Sequence, residues 1–172
     1  MVQVPHPSGR PPFADRAGAA AAAWRRTVAR MQTVVLTIST SVARGEAADE
    51  SGPLLASLAE QAGAEIVAAE VVADDQFAIE ERLRVHVGND VAFVFTTGGT
   101  GLTADDVTPE ATRAVITREA PGYAETLRAQ AREHTPLGIL TRGVSGVAAR
   151  TLIINFPGNP KAIRQLFGVV AP

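Results

Sequence analysis

The chain has 172 residues, 46% of them hydrophobic and 20% charged, with a formal net charge of −2; this fits one globular domain with a sizeable core and excludes disorder along its whole length. Cysteine is absent, which excludes disulfides, iron–sulfur clusters, thiolate zinc sites and a cysteine nucleophile. His6, His86 and His134 lie far apart without metal-ligand spacing, and no apolar run approaches the roughly 20 residues of a membrane helix.

Residues 1–30 carry Pro5, Pro7, Pro11 and Pro12, then an alanine-rich stretch ending in Arg25, Arg26 and Arg30. The arginines follow the small apolar run instead of preceding it, the wrong order for a secretory signal. A flexible N-terminal extension over 1–30, a single domain over 31–172 and a cytoplasmic location are therefore expected. The extension holds five arginines against one acid, Asp15, leaving eleven basic and seventeen acidic residues in 31–172. So acidic a body argues against nucleic acid as a partner, since phosphate contacts need a basic face. No membrane partner is expected either.

From residue 31 the pattern alternates. Residues 34–38 read as a strand and 53–62 as a helix stopped by Gly63. A second strand covers 66–72, and a helix over 76–87 places Ile79, Leu83 and Val87 on one face. The run 91–95 is a short apolar strand, followed by a helix over 109–120 with Thr108 as its cap and Pro109 in its first turn. Pro121 and Gly122 break that helix, 123–133 resumes as helix, and 151–156 is the last clear strand before a turn and a final helix. Alternating strands and helices imply an α/β fold with a mostly parallel sheet and helices on both faces. Ligands in such folds sit beyond the carboxyl ends of the strands.

Four polar or glycine-rich loops fall at that edge. They contain Ser39 with Asp49; Asp74 and Asp75; Gly98, Gly99 and Gly101 with Asp105 and Asp106; and Pro157, Gly158 and Asn159. The glycines let the backbone turn its N–H groups inward without Cβ collisions. Beside a helix start this makes an anion site, and Asp105 and Asp106 stand where a cation could be held against that anion. A Walker loop is excluded because Leu102 follows Gly101 in place of the lysine, although Thr103 supplies a hydroxyl after it. The spacing of Gly99, Gly101 and Ala104 fits a dinucleotide fingerprint, but the two aspartates intervene before the helix and no acid-ended strand follows. Taken singly, the loops also have plain structural readings: Asp74 as a helix cap, Asn159 as a cap before Pro160. Arg142 and Ser145 either present an anion site or belong to a glycine-rich hairpin with a solvated arginine. His86 reads as a surface or satisfied histidine.

The chain from about residue 34 onward resembles the molybdopterin adenylyltransferase family of molybdenum-cofactor biosynthesis proteins. The resemblance rests on Thr97-Gly98-Gly99-Thr100-Gly101, on Asp106-Val107-Thr108-Pro109-Glu110-Ala111-Thr112, on Arg142-Gly143, and on Leu152-Ile153-Ile154-Asn155 leading into Pro157-Gly158-Asn159-Pro160. It implies a three-layer α/β/α domain, commonly a homotrimer, that transfers AMP from Mg-ATP to molybdopterin and releases pyrophosphate. Matched position by position, it implies Asp49, Asp74 and Asp106 as catalytic acids, with Asp49 and Asp74 holding Mg²⁺. It implies Ser39, Gly98, Gly99, Thr100, Gly101, Arg142, Ser145, Pro157, Gly158 and Asn159 as residues binding nucleotide or pterin. A molybdate-inserting protein is the implied downstream partner. Thr40 departs from the family's aspartate after the serine, and a non-catalytic molybdopterin-binding or scaffold protein is the alternative. A general nucleotide-cleaving domain sharing the glycine loop is a third reading.

Overall fold

The computed structural model describes residues 31–170, so the expectation for 1–30 lies outside the described residues. The elements in chain order are β1 (Gln32–Ile38), α1 (Thr40–Ala43), α2 (Ser51–Gln61), β2 (Glu65–Val72), α3 (Gln76–Gly88), β3 (Phe93–Thr97) and α4 (Thr108–Val115). They continue with β4 (Arg118–Glu119), α5 (Pro121–His134), a 3-10 turn (Pro136–Leu140), β5 (Ser145–Ala148), β6 (Thr151–Phe156) and α6 (Pro160–Val170). The six strands form one sheet in the order β2-β1-β3-β6-β5-β4. Its first four strands run parallel, while β5 and β4 are antiparallel additions at one edge.

Side-chain alternation along the parallel strands feeds two cores. Val35, Phe95, Ile154 and Phe156 pack with Leu55 of α2, Leu127 of α5 and Phe167 of α6. Val34, Leu36, Val94 and Ile153 face the other way, onto Ile79 and Leu83 of α3 and Ala111 and Val115 of α4. Phe95 meets the rings of Phe156 and Phe167 edge-on at 5.5 and 6.3 Å, the arrangement aromatic quadrupoles favour. The expected three layers are present. Among the described residues, no helix is long and apolar enough to cross a membrane.

Three local expectations need correction. The third strand lies at Phe93–Thr97, two residues later than its apolar run. Thr96 and Thr97 extend it because their β-branched side chains suit a strand and their hydroxyls find partners: Asn155 Nδ2 donates to Thr96 at 2.9 Å, and Thr97 donates to Pro157 O at 2.8 Å. The helix expected to run to residue 120 ends at Val115. Beyond it Thr117 N and Ala120 N donate to Val147 O and Ser145 O, both at 2.9 Å, so sheet pairing overrides helix propensity. Pro121 consequently opens α5 instead of breaking a helix. The β5–β6 hairpin turns through Ala149 with φ 50° and Arg150, without the Asn-Gly or Asp-Gly signal that usually marks such turns.

Asn155 is 3% exposed and fully partnered: its Nδ2 donates to Thr96 and Thr112 hydroxyls, and its Oδ1 accepts from Val144 N at 3.1 Å. This one side chain ties β3, α4 and the approach to β5 together. Replacing it with leucine orphans two buried hydroxyls and the half-buried Val144 N–H, the buried ones each costing about 1–3 kcal/mol; urea titration should show a loss of at least about 2 kcal/mol.

His86 is 5% exposed, because it continues the Ile79–Leu83 stripe of α3. Its Nε2 lies 3.2 Å from Glu70 Oε1 without hydrogen-bond alignment, while Arg82 grips Glu70 through two bonds of 2.8 and 2.7 Å. Burial lowers the His86 pKa below its ordinary 6.5, more than the Glu70 charge raises it. The unfolded chain therefore takes up the proton first. Stability should fall as pH drops through 6.5 and level off below the folded pKa. Denaturant midpoints followed across that window should flatten in His86→Leu, and an unchanged slope would contradict the assignment.

Candidate active site

The carboxyl ends of β1, β2, β3 and β6 lie along one edge of the sheet, and the four loops that follow them approach one another there. After Thr97 the chain turns through Gly98 at φ 99° and Gly99 at φ 59°, backbone conformations that side chains rarely tolerate. Space is also absent: a Cβ on Gly98 would stand 2.2 Å from Ile38 O, and one on Gly99 would stand 2.3 Å from Thr108 Oγ1. Gly158 crosses the same point, its Cβ position 3.1 Å from Gly98 Cα.

The carbonyls of the glycine loop are all held. Thr108 donates its hydroxyl to Gly98 O at 3.0 Å and its N–H to Gly99 O at 3.1 Å. Thr108 is thus a tether for the loop, and no side chain caps α4. Arg142 donates its N–H to Thr100 O at 2.8 Å and its Nε to Gly101 O at 2.7 Å. By contrast, the N–H groups of Gly99 and Thr100 donate to no group among the described residues. Thr100 is 5% exposed, and unpaired donors at such a position are what a ligand anion would satisfy.

Arg142 commits its guanidinium to the protein, bonding Asp106 O through Nη2 and Glu110 through Nη1 at 2.5 Å and Nη2 at 3.3 Å. The Asp106 carboxylate accepts from Thr103 N at 2.8 Å and Thr103 Oγ1 at 2.6 Å. Burial opposes ionisation of Asp106, but bonds from Thr103 and the Gly101 amide, with the Arg142 charge, outweigh it and hold the carboxyl below its ordinary range. Glu110 follows the same pattern, burial being outweighed chiefly by Arg142. Both acids brace the loop through these bonds. Ser145 is committed too: its hydroxyl donates to Ala120 O at 2.7 Å and accepts from Ala124 N at 3.2 Å.

A cleft of about 330 Å³ gathers Ser39, Asp49, Gly98, Gly158 and Pro160. Asp49 accepts through Oδ1 from Ser51 N at 3.1 Å and Gly52 N at 2.9 Å, capping the start of α2, and through Oδ2 from Thr37 Oγ1 at 2.7 Å. Asp74 exchanges bonds with Thr40: Thr40 N donates to its Oδ2 at 2.7 Å, and Thr40 Oγ1 accepts from Asp74 N at 2.9 Å. Asp75 performs the capping expected of Asp74, accepting from Ala78 N at 2.8 Å. Asp74 Oδ1 points instead toward the loop, 3.3 Å from the Cβ position of Gly99. Ser39 caps α1 through Val42 N at 3.4 Å, and Asn159 caps α6 through Lys161 N at 2.9 Å. Arg142 and Ser145 fall elsewhere, in a second cleft that shares no lining residue with the first.

Thr37 was not singled out in the sequence. A hydroxyl at the last turn of an apolar strand, 3% exposed, requires an acceptor, and that requirement is the signal that points to Asp49. For magnesium, the donor chemistry fits: Asp49 and Asp74 offer hard carboxylate oxygens, and Asp74 Oδ1 has no hydrogen-bond partner among the described residues. No group of three or more His, Cys, Asp or Glu converges among the described residues, which suits an ion that takes one or two carboxylates and completes its shell with phosphates and water.

Residues 34–172 match the family described as a probable molybdopterin binding domain. Among curated proteins, the molybdenum cofactor synthesis protein cinnamon of Drosophila melanogaster is 35% identical over 139 residues, 80% of this chain and 23% of that protein. The molybdopterin adenylyltransferase of Helicobacter pylori strain J99 is 40% identical over 104 residues, 60% of this chain and 59% of that one. The chain thus spans under a quarter of one relative and about three fifths of the other. Among solved structures, the molybdopterin biosynthesis enzyme MoaB of Thermus thermophilus superposes with a TM-score of 0.77 at 38% identity, over 81% of this chain and 89% of that chain.

The backbone crossing at Gly98 makes a sharp forecast. Gly98→Ala meets Ile38 O and should destabilise by more than about 2 kcal/mol. Gly168→Ala, inside α6 with nothing within 4 Å of its Cβ position, should stabilise by about 0.5–1 kcal/mol. Thermal melts of the two variants check the contrast, and similar shifts in both would refute the crossing as a constraint.

Proposed function

The chain belongs to the family of probable molybdopterin binding domains, and from that premise we propose that it is a molybdopterin adenylyltransferase acting in molybdenum cofactor biosynthesis. In the proposed reaction an oxygen of the terminal phosphate of molybdopterin attacks the α-phosphorus of ATP. The new P–O bond forms as the bond to the β-phosphate oxygen breaks, and pyrophosphate leaves with that electron pair. Such transfer needs positioning and charge neutralisation more than a protein nucleophile, which agrees with a chain that has no cysteine.

The observation that carries this reading is the pair of unpartnered N–H groups at Gly99 and Thr100, in a loop that Asp74 approaches at Gly99. Those amides bind phosphoryl oxygens, each charge-assisted bond contributing about 1.5–3 kcal/mol. Asp49 and Asp74 would hold Mg²⁺, which supplies charge neutralisation on the phosphates. Without a cation, each carboxylate–phosphate pair would repel by about 4 kcal/mol at 4 Å and an effective dielectric of 20. Thr37 and Thr40 orient the two aspartates, and Asp106 acts with Arg142 to keep the loop in shape. Assembly as a homotrimer, a cytoplasmic location and delivery of the product to a molybdate-inserting protein belong to the same proposal. A second reading, pterin binding without turnover, is favoured by the engagement of both Asp49 oxygens with Thr37, Ser51 and Gly52.

Asp49→Asn keeps an acceptor for the α2 amides but removes the charge. Formation of adenylyl-molybdopterin from Mg-ATP should be abolished in it while molybdopterin affinity stays within about threefold of wild type; equal loss of both would remove Asp49 from the chemistry. If the wild type binds molybdopterin yet forms no adenylylated product, the binding-only reading replaces this one. Gly99→Val should weaken molybdopterin binding at least about tenfold by blocking backbone approach, and binding at wild-type strength would dismiss the loop as the phosphate site.

A further inference from the structure

The second cleft, about 520 Å³, opens between α4, α5 and the loop before β5, a size suited to a small molecule. It is lined by three arginines, Arg113, Arg128 and Arg142, against one carboxylate, Glu119. Arg142 is neutralised by Glu110 and spent on the glycine loop. The other two are held less tightly. Arg128 is anchored only by a bond of 2.8 Å from Nη1 to Gly143 O and forms no ion pair among the described residues. Arg113 reaches Glu110 only at 4.0 Å, and that carboxylate already faces Arg142. One guanidinium without an ion pair among the described residues and one held only at 4.0 Å thus share a concavity with the single carboxylate Glu119, in a body with eleven basic and seventeen acidic residues over 31–172. Beside them lies apolar surface, Val144 with Ile139, the latter 60% exposed.

We propose that this cleft binds a small phosphate monoester, its phosphoryl group between Arg113 and Arg128 and its apolar part against Ile139 and Val144. Two planar guanidinium forks match a doubly charged, multi-oxygen acceptor better than a single carboxylate. The site is separate from the Asp49 cleft and does not depend on adenylyl transfer.

Phenyl phosphate titrated into the full chain without nucleotide or metal, with backbone amide and methyl resonances followed by NMR, tests this. Saturable shifts at Gly143, Val144 and Ile139 with millimolar or tighter affinity are expected, with none for phenol. Arg113→Gln, which gives up only the 4.0 Å contact, should keep the wild-type melting temperature and lose about tenfold in affinity. Arg128→Gln should lose as much or more. Any of four results overturns the proposal: no saturable shift, shifts centred on Gly99 and Thr100, wild-type affinity in Arg113→Gln, or self-association of the chain that covers Ile139 and leaves the cleft silent.

Discussion

Three backbones meet at one point on the carboxyl edge of the sheet: Ile38 leaving β1, Gly98 leaving β3 and Gly158 leaving β6. A Cβ at Gly98 would come within 2.2 Å of Ile38 O, so only a residue without one lets the strands end in register. That close approach turns the loop after β3 over the top of the sheet. It sets Gly98 and Gly158 beside Asp49 in one cleft, with Asp74 facing Gly99. The parallel pairing of β1, β3 and β6 supplies the rest, since it brings the loops after all three strands to the same side.

The loop's polar groups then divide. Its carbonyls are taken up by Thr108 and Arg142, and the N–H groups of Gly99 and Thr100 donate to no group among the described residues. On the proposed reading, donors left free in a loop whose carbonyls are tethered need little rearrangement when an anion binds. Holding that shape requires charge. Arg142 gathers Gly101, Asp106 and Glu110 around one guanidinium, and the lowered carboxyl pKa values of Asp106 and Glu110 reflect the same contacts. The acids at the edge therefore serve two ends: Asp106 and Glu110 brace the loop, whereas Asp49 lines the cleft and Asp74 approaches Gly99.

Much of this was legible in the sequence because its strongest signals are local. The β-branched runs of β1 and β6, the amphipathic stripe of α3 and the glycines at 98 and 99 each name their structure without help from distant residues. Convergence of the four loops followed from alternating strands and helices. What escaped depends on partners far along the chain. Residues 116–120 look helical, yet Thr117 and Ala120 pair with Val147 and Ser145 some 25–30 positions away. Asp74 looks like a cap, yet its partner is Thr40, 34 residues earlier, and Asp75 takes the cap. Arg142 offers an anion-binding side chain by composition, but its acceptors are the carbonyls of a loop about 40 residues upstream. Long-range polar pairing is invisible to periodicity, which reports burial and little else.

The central claim is that the Gly99 and Thr100 amides grip phosphoryl oxygen. Their amide proton resonances, followed while molybdopterin is added to the full chain, address it most directly. Both should move downfield in step and saturate together, and dephosphorylated pterin should leave them in place. If molybdopterin binds while those two resonances stay still, the phosphate sits elsewhere and the account is wrong.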